Sequence, residues 1–124
     1  MNQRSYFVTG AMGCIGAWTL YHLVRRGERV VSYDISANRS RLDLLLTEAE
    51  QAGVTFVRGD LTRREEVQEA MQRYGASHVI HLAALQVPFC RANPVLGAQV
   101  NVVGTLNVFE AAREVGIRHV VYAS

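Results

Sequence analysis

Eight residues, Thr9-Gly10-Ala11-Met12-Gly13-Cys14-Ile15-Gly16, constrain the chain more than any other stretch. A short apolar run, Tyr6-Phe7-Val8, precedes them, and an amphipathic stretch from Ala17 to Arg26 follows. A strand therefore enters a glycine-rich turn and leaves it as a helix. The first turn of a helix leaves backbone N–H groups without partners and carries partial positive charge, so an anion is stabilised there. Glycine suits such a turn, because a Cβ would hold a pyrophosphate off the backbone and because tight turns use positive φ. Asp34 closes the next strand-like run, Arg29-Val30-Val31-Ser32-Tyr33. An acid about 20 residues beyond the glycines is placed to accept hydrogen bonds from a ribose hydroxyl pair. The spacing is Gly-x-x-Gly-x-x-Gly, and three glycines alone describe only a tight turn. Strand before, helix after and acid at the second strand end turn that description into a nicotinamide dinucleotide site.

The same alternation continues along the chain. Further runs of strand length are Val54–Val57, His78–Leu82 and His119–Tyr122, joining Tyr6–Thr9 and Val30–Tyr33. Between them, apolar residues recur at helical spacing: Ile15, Leu20, Leu23 and Val24; Leu42, Leu45, Leu46 and Ala49; Val67, Ala70 and Met71; and Val100, Val103, Leu106, Val108, Phe109 and Ala112. Gly27, Gly53, Gly75 and Gly116 each stand between a helix and a strand, as helix-ending glycines do. Thr62 reads as a helix N-cap with Glu65 as its capping-box partner. Gln86–Pro94, with both prolines (Pro88 and Pro94), reads as the longest loop. The expectation is an α/β, Rossmann-like fold: a doubly wound parallel sheet of five strands in the order 3-2-1-4-5, covered on both faces. The cofactor would lie across the strand ends where the order reverses.

The 124 residues make room for one domain, 1–124, without linker or internal repeat. The net charge is +2, and no basic stripe is interleaved with aromatics, so nothing points to a nucleic-acid partner. Cys14 and Cys90 match no metal-ligand spacing. No leader and no apolar run near the length of a membrane span is present, so no membrane partner and a reducing cytoplasm are the expectations.

Together, Thr9-Gly10-x-x-Gly13-x-x-Gly16, Asp34, Asp60-Leu61, His81-Leu82-Ala83-Ala84, Asn101-x-x-Gly104-Thr105 and Val121-Tyr122-Ala123-Ser124 resemble the extended short-chain dehydrogenase/reductase family. The resemblance is to its NAD-dependent nucleotide-sugar epimerase/dehydratase branch, which includes UDP-galactose epimerase, and it covers essentially the whole chain. It implies roles residue by residue. Gly10, Gly13 and Gly16, with Met12 in the same turn, shape the pyrophosphate site, and the backbones of Cys14 and Ile15 donate to the phosphates. Asp34 takes the adenosine ribose, and Asp60 and Leu61 flank the adenine. Leu82, Ala83 and Ala84 line the nicotinamide-ribose side, and Gln86 stands near that ribose. Asn101 holds backbone near the active site. Asp60 also reads as a simple turn residue, and His81 as a strand-end packing residue.

That family does its chemistry with a Ser or Thr just past the fifth strand and a Tyr-x-x-x-Lys on the following helix. The sequence here ends at Ser124 and contains no lysine, its thirteen basic residues all being Arg. The expectation is therefore an amino-terminal, cofactor-binding portion of an NAD-dependent epimerase, dehydratase or dehydrogenase, without catalytic residues or metal. It would bind cofactor weakly or not at all and turn over nothing, the sugar-nucleotide substrate belonging to the longer parent. A non-catalytic regulatory or redox-sensing dinucleotide module fits the same absence. Asp34 favours NAD over NADP, since a carboxylate repels the 2′-phosphate and Ile35, not Arg, follows it; Arg39 and Arg41 are near enough to speak for NADP. An apolar fifth-strand edge and fourth helix would self-associate.

Overall fold

The computed structural model describes residues 3–124. Five parallel strands, β1 (Ser5–Thr9), β2 (Arg29–Asp34), β3 (Val54–Arg58), β4 (His78–His81) and β5 (His119–Tyr122), form one sheet in the order β3-β2-β1-β4-β5. This is the expected doubly wound order. β1 is central, pairing Phe7 with Val31 of β2 and with Val79 of β4. Parallel strands require crossovers, and those crossovers put helices on both faces. Successive side chains therefore divide between two cores. Phe7, Val31, Tyr33 and Val79 pack with Val67, Met71, Val108 and Ala112 on one face. Val8 and Val30 pack with Ala17, Leu20, Leu23, Leu42 and Leu46 on the other. Each fully buried Val, Leu, Phe or Met side chain among them contributes about 1.5–3 kcal/mol.

The helices are α1 (Cys14–Arg25), α2 (Ser40–Asp43), α3 (Glu48–Gln51), α4 (Arg64–Arg73), α5 (Val87–Ala92), α6 (Pro94–Ala98) and α7 (Gly104–Val115). A π-helical segment, Gln99–Val103, joins α6 to α7. Several sequence expectations are corrected here. The stripe Leu42–Ala49 is two short helices, not one. Thr47 and Glu50 form a capping box (Glu50 N–H to Thr47 Oγ1, 3.1 Å; Thr47 N–H to Glu50 Oε1, 3.0 Å) that starts α3, and Ala49 is exposed. Thr62 is not the cap of α4. Its hydroxyl and N–H both donate to Asp60 Oδ1, at 2.7 and 2.9 Å, so the N-cap falls to Arg63. Gln86–Pro94 is mostly helix. Pro88 and Pro94 occupy first-turn positions, where a missing N–H removes no bond. Ile15, Val103 and Leu106 lie outside the core, Ile15 being 67% exposed at the mouth of the first turn. Of the four helix-ending glycines, Gly27, Gly75 and Gly116 have positive φ and Gly53 does not.

Candidate functional site

The turn between β1 and α1 is built around Gly10, whose φ is +67°. Its N–H donates to the Tyr33 carbonyl (3.1 Å), and its own carbonyl accepts from Gly13 (3.1 Å). A Cβ at Gly10 would lie 2.7 Å from the Ala83 nitrogen. At Gly16 a Cβ would press on the Gly10 carbonyl oxygen and stand 2.7 Å from Ala11 Cα. The turn is therefore packed against the end of β4 with no room for side chains. Gly13 is the N-cap of α1 and offers no side-chain cap, so the N–H groups of Cys14, Ile15 and Gly16 lack intrahelical partners. That leaves a donor set at the positive end of a helix, the chemistry an anion needs.

Asp34 is fastened to this turn. Its Oδ2 accepts from Met12 N–H (3.0 Å) and its Oδ1 from Ser36 N–H (2.9 Å). An ionised carboxylate has about four lone-pair sites, so it retains capacity for hydroxyl donors. Arg41 Nη1 donates to the Met12 carbonyl (3.3 Å), and the Arg39 guanidinium lies 3.5 Å over the Phe56 ring. Both arginines are thus engaged beside Asp34. At the end of β3, the Thr62 hydroxyl and backbone hold the Asp60 carboxyl below its usual range, and its other oxygen has no hydrogen bond among the described residues. Tyr33 is 1% exposed, its hydroxyl has no partner among the described residues, and its ring fills the space a Cβ at Gly59 would occupy. Burial, with Glu66 and Asp60 nearby, pushes that phenol upward.

The β4 end carries a buried polar chain. Thr9 Oγ1 lies 2.6 Å from His81 Nδ1, and His81 Nε2 lies 2.9 Å from Thr105 Oγ1 on α7. The backbone N–H groups of Leu82 and Ala83 both donate to Thr9 Oγ1, at 3.1 and 3.3 Å. Further on, Asn101 in the π-helical segment clamps Leu85: Oδ1 accepts from Leu85 N–H (2.7 Å) and Nδ2 donates to its carbonyl (3.0 Å).

These elements open onto one cavity of about 470 Å³. Gly10, Gly13, Cys14, Ile15, Gly16, Asp34, Asp60, Leu61, Leu82, Ala83, Ala84 and Gln86 all line it. Met12 and Asn101 do not. Met12 reaches the site through its N–H to Asp34, and Asn101 through the backbone of Leu85. Tyr33, Ile35, Gly59, Leu85, Leu96 and Val100 also line the cavity and were missed by sequence reasoning. The first four flank motif residues at strand ends; Leu96, between the stretch read as loop and the fourth helix, stands one helical turn before Val100. A more open depression of about 690 Å³ lies over β3, α2 and α3, where Arg39, Asp43, Gln51 and Phe56 line it. None of the fourteen candidate residues borders it.

The sequence model of the NAD dependent epimerase/dehydratase family matches residues 6–124. Human 3 beta-hydroxysteroid dehydrogenase type 7 is 36% identical over 119 residues, taking in 96% of this chain and 32% of that protein. The UDP-glucose 4-epimerase of Erwinia amylovora is 34% identical over 122 residues, 97% of this chain and 36% of the relative. The solved UDP-glucose 4-epimerase of Thermus thermophilus, in complex with NAD, superposes with a TM-score of 0.82 at 36% identity, over 97% of this chain and 37% of that one. The chain spans about a third of the length of these relatives.

Proposed function

The chain belongs to the NAD dependent epimerase/dehydratase family, and on that premise we propose that it is the NAD-binding portion of an enzyme acting on a nucleotide sugar by epimerisation, dehydration or oxidation. The observation that carries this reading is the Met12 N–H to Asp34 bond (3.0 Å), which ties the open amides of the turn to a carboxylate on one cavity. The residues present fit the cofactor. Gly10 and Gly16 let the turn close against Ala83 and Ala11, where a Cβ would strike backbone, so the start of α1 stands directly on the cavity, and the amides of Cys14 and Ile15 supply donors for a pyrophosphate. Asp34 would hold the adenosine ribose, Asp60 and Leu61 the adenine, and Leu82, Ala83, Ala84 and Gln86 the nicotinamide side. Bound there, NAD supplies a hydride acceptor. NAD is favoured over NADP because Asp34 would face the added phosphate while Arg39 and Arg41 are engaged with Phe56 and Met12.

The relatives include both a steroid dehydrogenase and UDP-glucose 4-epimerases; we assign the nucleotide-sugar class from the motif resemblance. This sequence has no Tyr-x-x-x-Lys and no lysine, so the chain by itself turns over no sugar nucleotide. Its edge strand β5 exposes Val121 and Tyr122, and α7 exposes Leu106, which supports self-association there; a clean monomer in sedimentation at micromolar concentration would refute that part. Among the described residues, no helix is long and apolar enough to cross a membrane.

The test is an amide-resolved NMR titration with NAD and, separately, NADP. NAD is expected to bind weakly, to shift the amides of residues 13–16, and to bind at least tenfold more weakly to Asp34→Ala, about 1.4 kcal/mol. No shift with NAD, or tighter binding of NADP, overturns the reading. Incubation with NAD and UDP-glucose should yield no epimer; measurable epimer would overturn the claim of inactivity.

A further inference from the structure

His81 is 3% exposed, yet it sits in a hydrogen-bond chain that ends under the glycine turn. A hydroxyl oxygen accepts through two lone pairs and donates once. Thr9 Oγ1 already accepts from Leu82 N–H and Ala83 N–H, so its own hydrogen must go to His81 Nδ1 at 2.6 Å. Nδ1 is therefore the bare nitrogen, and Nε2 carries the proton, donating to Thr105 Oγ1 at 2.9 Å. The network is saturated on the Thr9 side. A proton added to Nδ1 would bring a third donor to an oxygen with two lone pairs and would deprive the Thr9 hydrogen of its acceptor. The Thr105 side would be unchanged, since Nε2 donates in both forms.

The two amides at stake lie where the cleft is tightest. Ala83 N is the atom a Cβ at Gly10 would meet at 2.7 Å, and Leu82 and Ala83 line the cavity beside the turn. We propose that His81 is a positioning residue: through Thr9 it fixes the Leu82 and Ala83 amides beneath the glycine turn, and protonation at Nδ1 frees Ala83 N–H, leaves Leu82 N–H only its 3.3 Å bond to the Thr9 carbonyl, and loosens the cleft. The inference rests on reading that cleft as a dinucleotide site. The groups facing His81 are Thr9 on β1, Thr105 on α7 and its register partner Tyr122 on β5. Burial alone depresses its protonation, and no charged group adds to that effect. The cleft therefore stays ordered at neutral pH and loosens only below the usual imidazole range.

The experiment is a pH series on the full chain with two readouts. Proton–nitrogen spectra of the ring should place the neutral proton on Nε2, and the Leu82 and Ala83 amides should titrate with the ring's midpoint. A proton on Nδ1, or amides that ignore the ring, overturns the proposal. Thr9→Ser should preserve the coupled titration and Thr9→Val should abolish it; if Thr9→Val leaves the coupling intact, the relay is wrong. In the second readout, NAD affinity should fall about tenfold across the same transition, the equivalent of one lost buried hydrogen bond. His81→Asn keeps an acceptor for Thr9 but does not titrate, so its affinity should be flat with pH. Coupled amides with pH-independent NAD affinity would refute positioning. Should NAD bind at no pH, the cofactor reading fails, while the ring and amide titrations still decide the relay.

Discussion

Replacing Gly10 by Ala tests how tightly the turn is built against β4, and Gly27→Ala supplies the control. Both glycines have positive φ, +67° and +75°, so each variant carries the left-handed penalty of an L-residue, about 1 kcal/mol. Only Gly10 also meets an obstacle. Its added Cβ would lie 2.7 Å from Ala83 N and 2.8 Å from Ala83 Cα, against the 3.4 Å at which ordinary contact begins; around Gly27 no atom of the described residues lies within 4 Å of the added Cβ. Relief needs a shift of about 0.7 Å between the ends of β1 and β4, where Leu82 N–H reaches the Thr9 carbonyl at 3.3 Å and Thr9 Oγ1 at 3.1 Å. Overpacking of this kind costs about 1–3 kcal/mol. We expect a loss of about 1 kcal/mol for Gly27→Ala and about 3 kcal/mol for Gly10→Ala. Urea unfolding followed by far-ultraviolet circular dichroism and by the fluorescence of Trp18, the single tryptophan, measures both. With a slope of about 1.5 kcal/mol per molar, the midpoints should move by roughly 0.7 M and 2 M. Equal shifts for the two variants would show that the turn is not wedged against Ala83, and the steric argument for the cradle would fail.

Tyr33→Phe removes a buried hydroxyl without a partner and should leave the protein as stable or about 1 kcal/mol more stable by the same unfolding assay; a clear loss would mean the hydroxyl is satisfied after all. Thr47→Ala deletes the capping box of α3 and should cost about 1 kcal/mol, whereas Thr62→Ala should spare α4 helicity because Thr62 caps nothing; an equal loss of helix signal in both would contradict the cap assignment. Acidification should destabilise the fold. His81 is depressed by burial, and His78 by burial first, then by its stacked neighbour His119 and by Arg4. The unfolded chain then binds more protons once pH falls below the ordinary imidazole value. The stability is full above that value and is lost on descent through the folded-state values. A thermal midpoint that holds constant or rises between about pH 7 and pH 5 would refute this.

The sheet order, the strand positions and most of the cavity lining were legible in the sequence because they rest on short-range signals. Strand-length apolar runs, glycines between elements and an acid at a strand end each occupy a fixed offset from the turn. What was not legible depended on competition between neighbours. Thr62 and Glu65 have the spacing of a capping box, but Asp60 two residues earlier captures the Thr62 hydroxyl. Thr47 and Glu50 have the same spacing inside a continuous apolar stripe, which hid the break between α2 and α3. Pro88 and Pro94 mark loops by composition and helix starts by position, and only the fold chooses between those meanings. The contribution of Met12 was legible as a position but not as a mechanism, since its backbone N–H, not its side chain, meets Asp34. Tyr33 was invisible because nothing local distinguishes a strand residue whose ring reaches under Gly59 from one that packs on a helix.

The strand that occupies the middle of the sheet is the earliest of the five in the polypeptide. Its partner across one edge, Tyr33 beside Thr9, is 24 positions on, but the partner across the other, His81 beside Thr9, is 72 positions downstream. Contacts so distant along the chain are slow to close. On a growing polypeptide the glycine bend is therefore synthesised long before the ledge that packs beneath it, and the Ala83 contact that closes the turn is among the late ones.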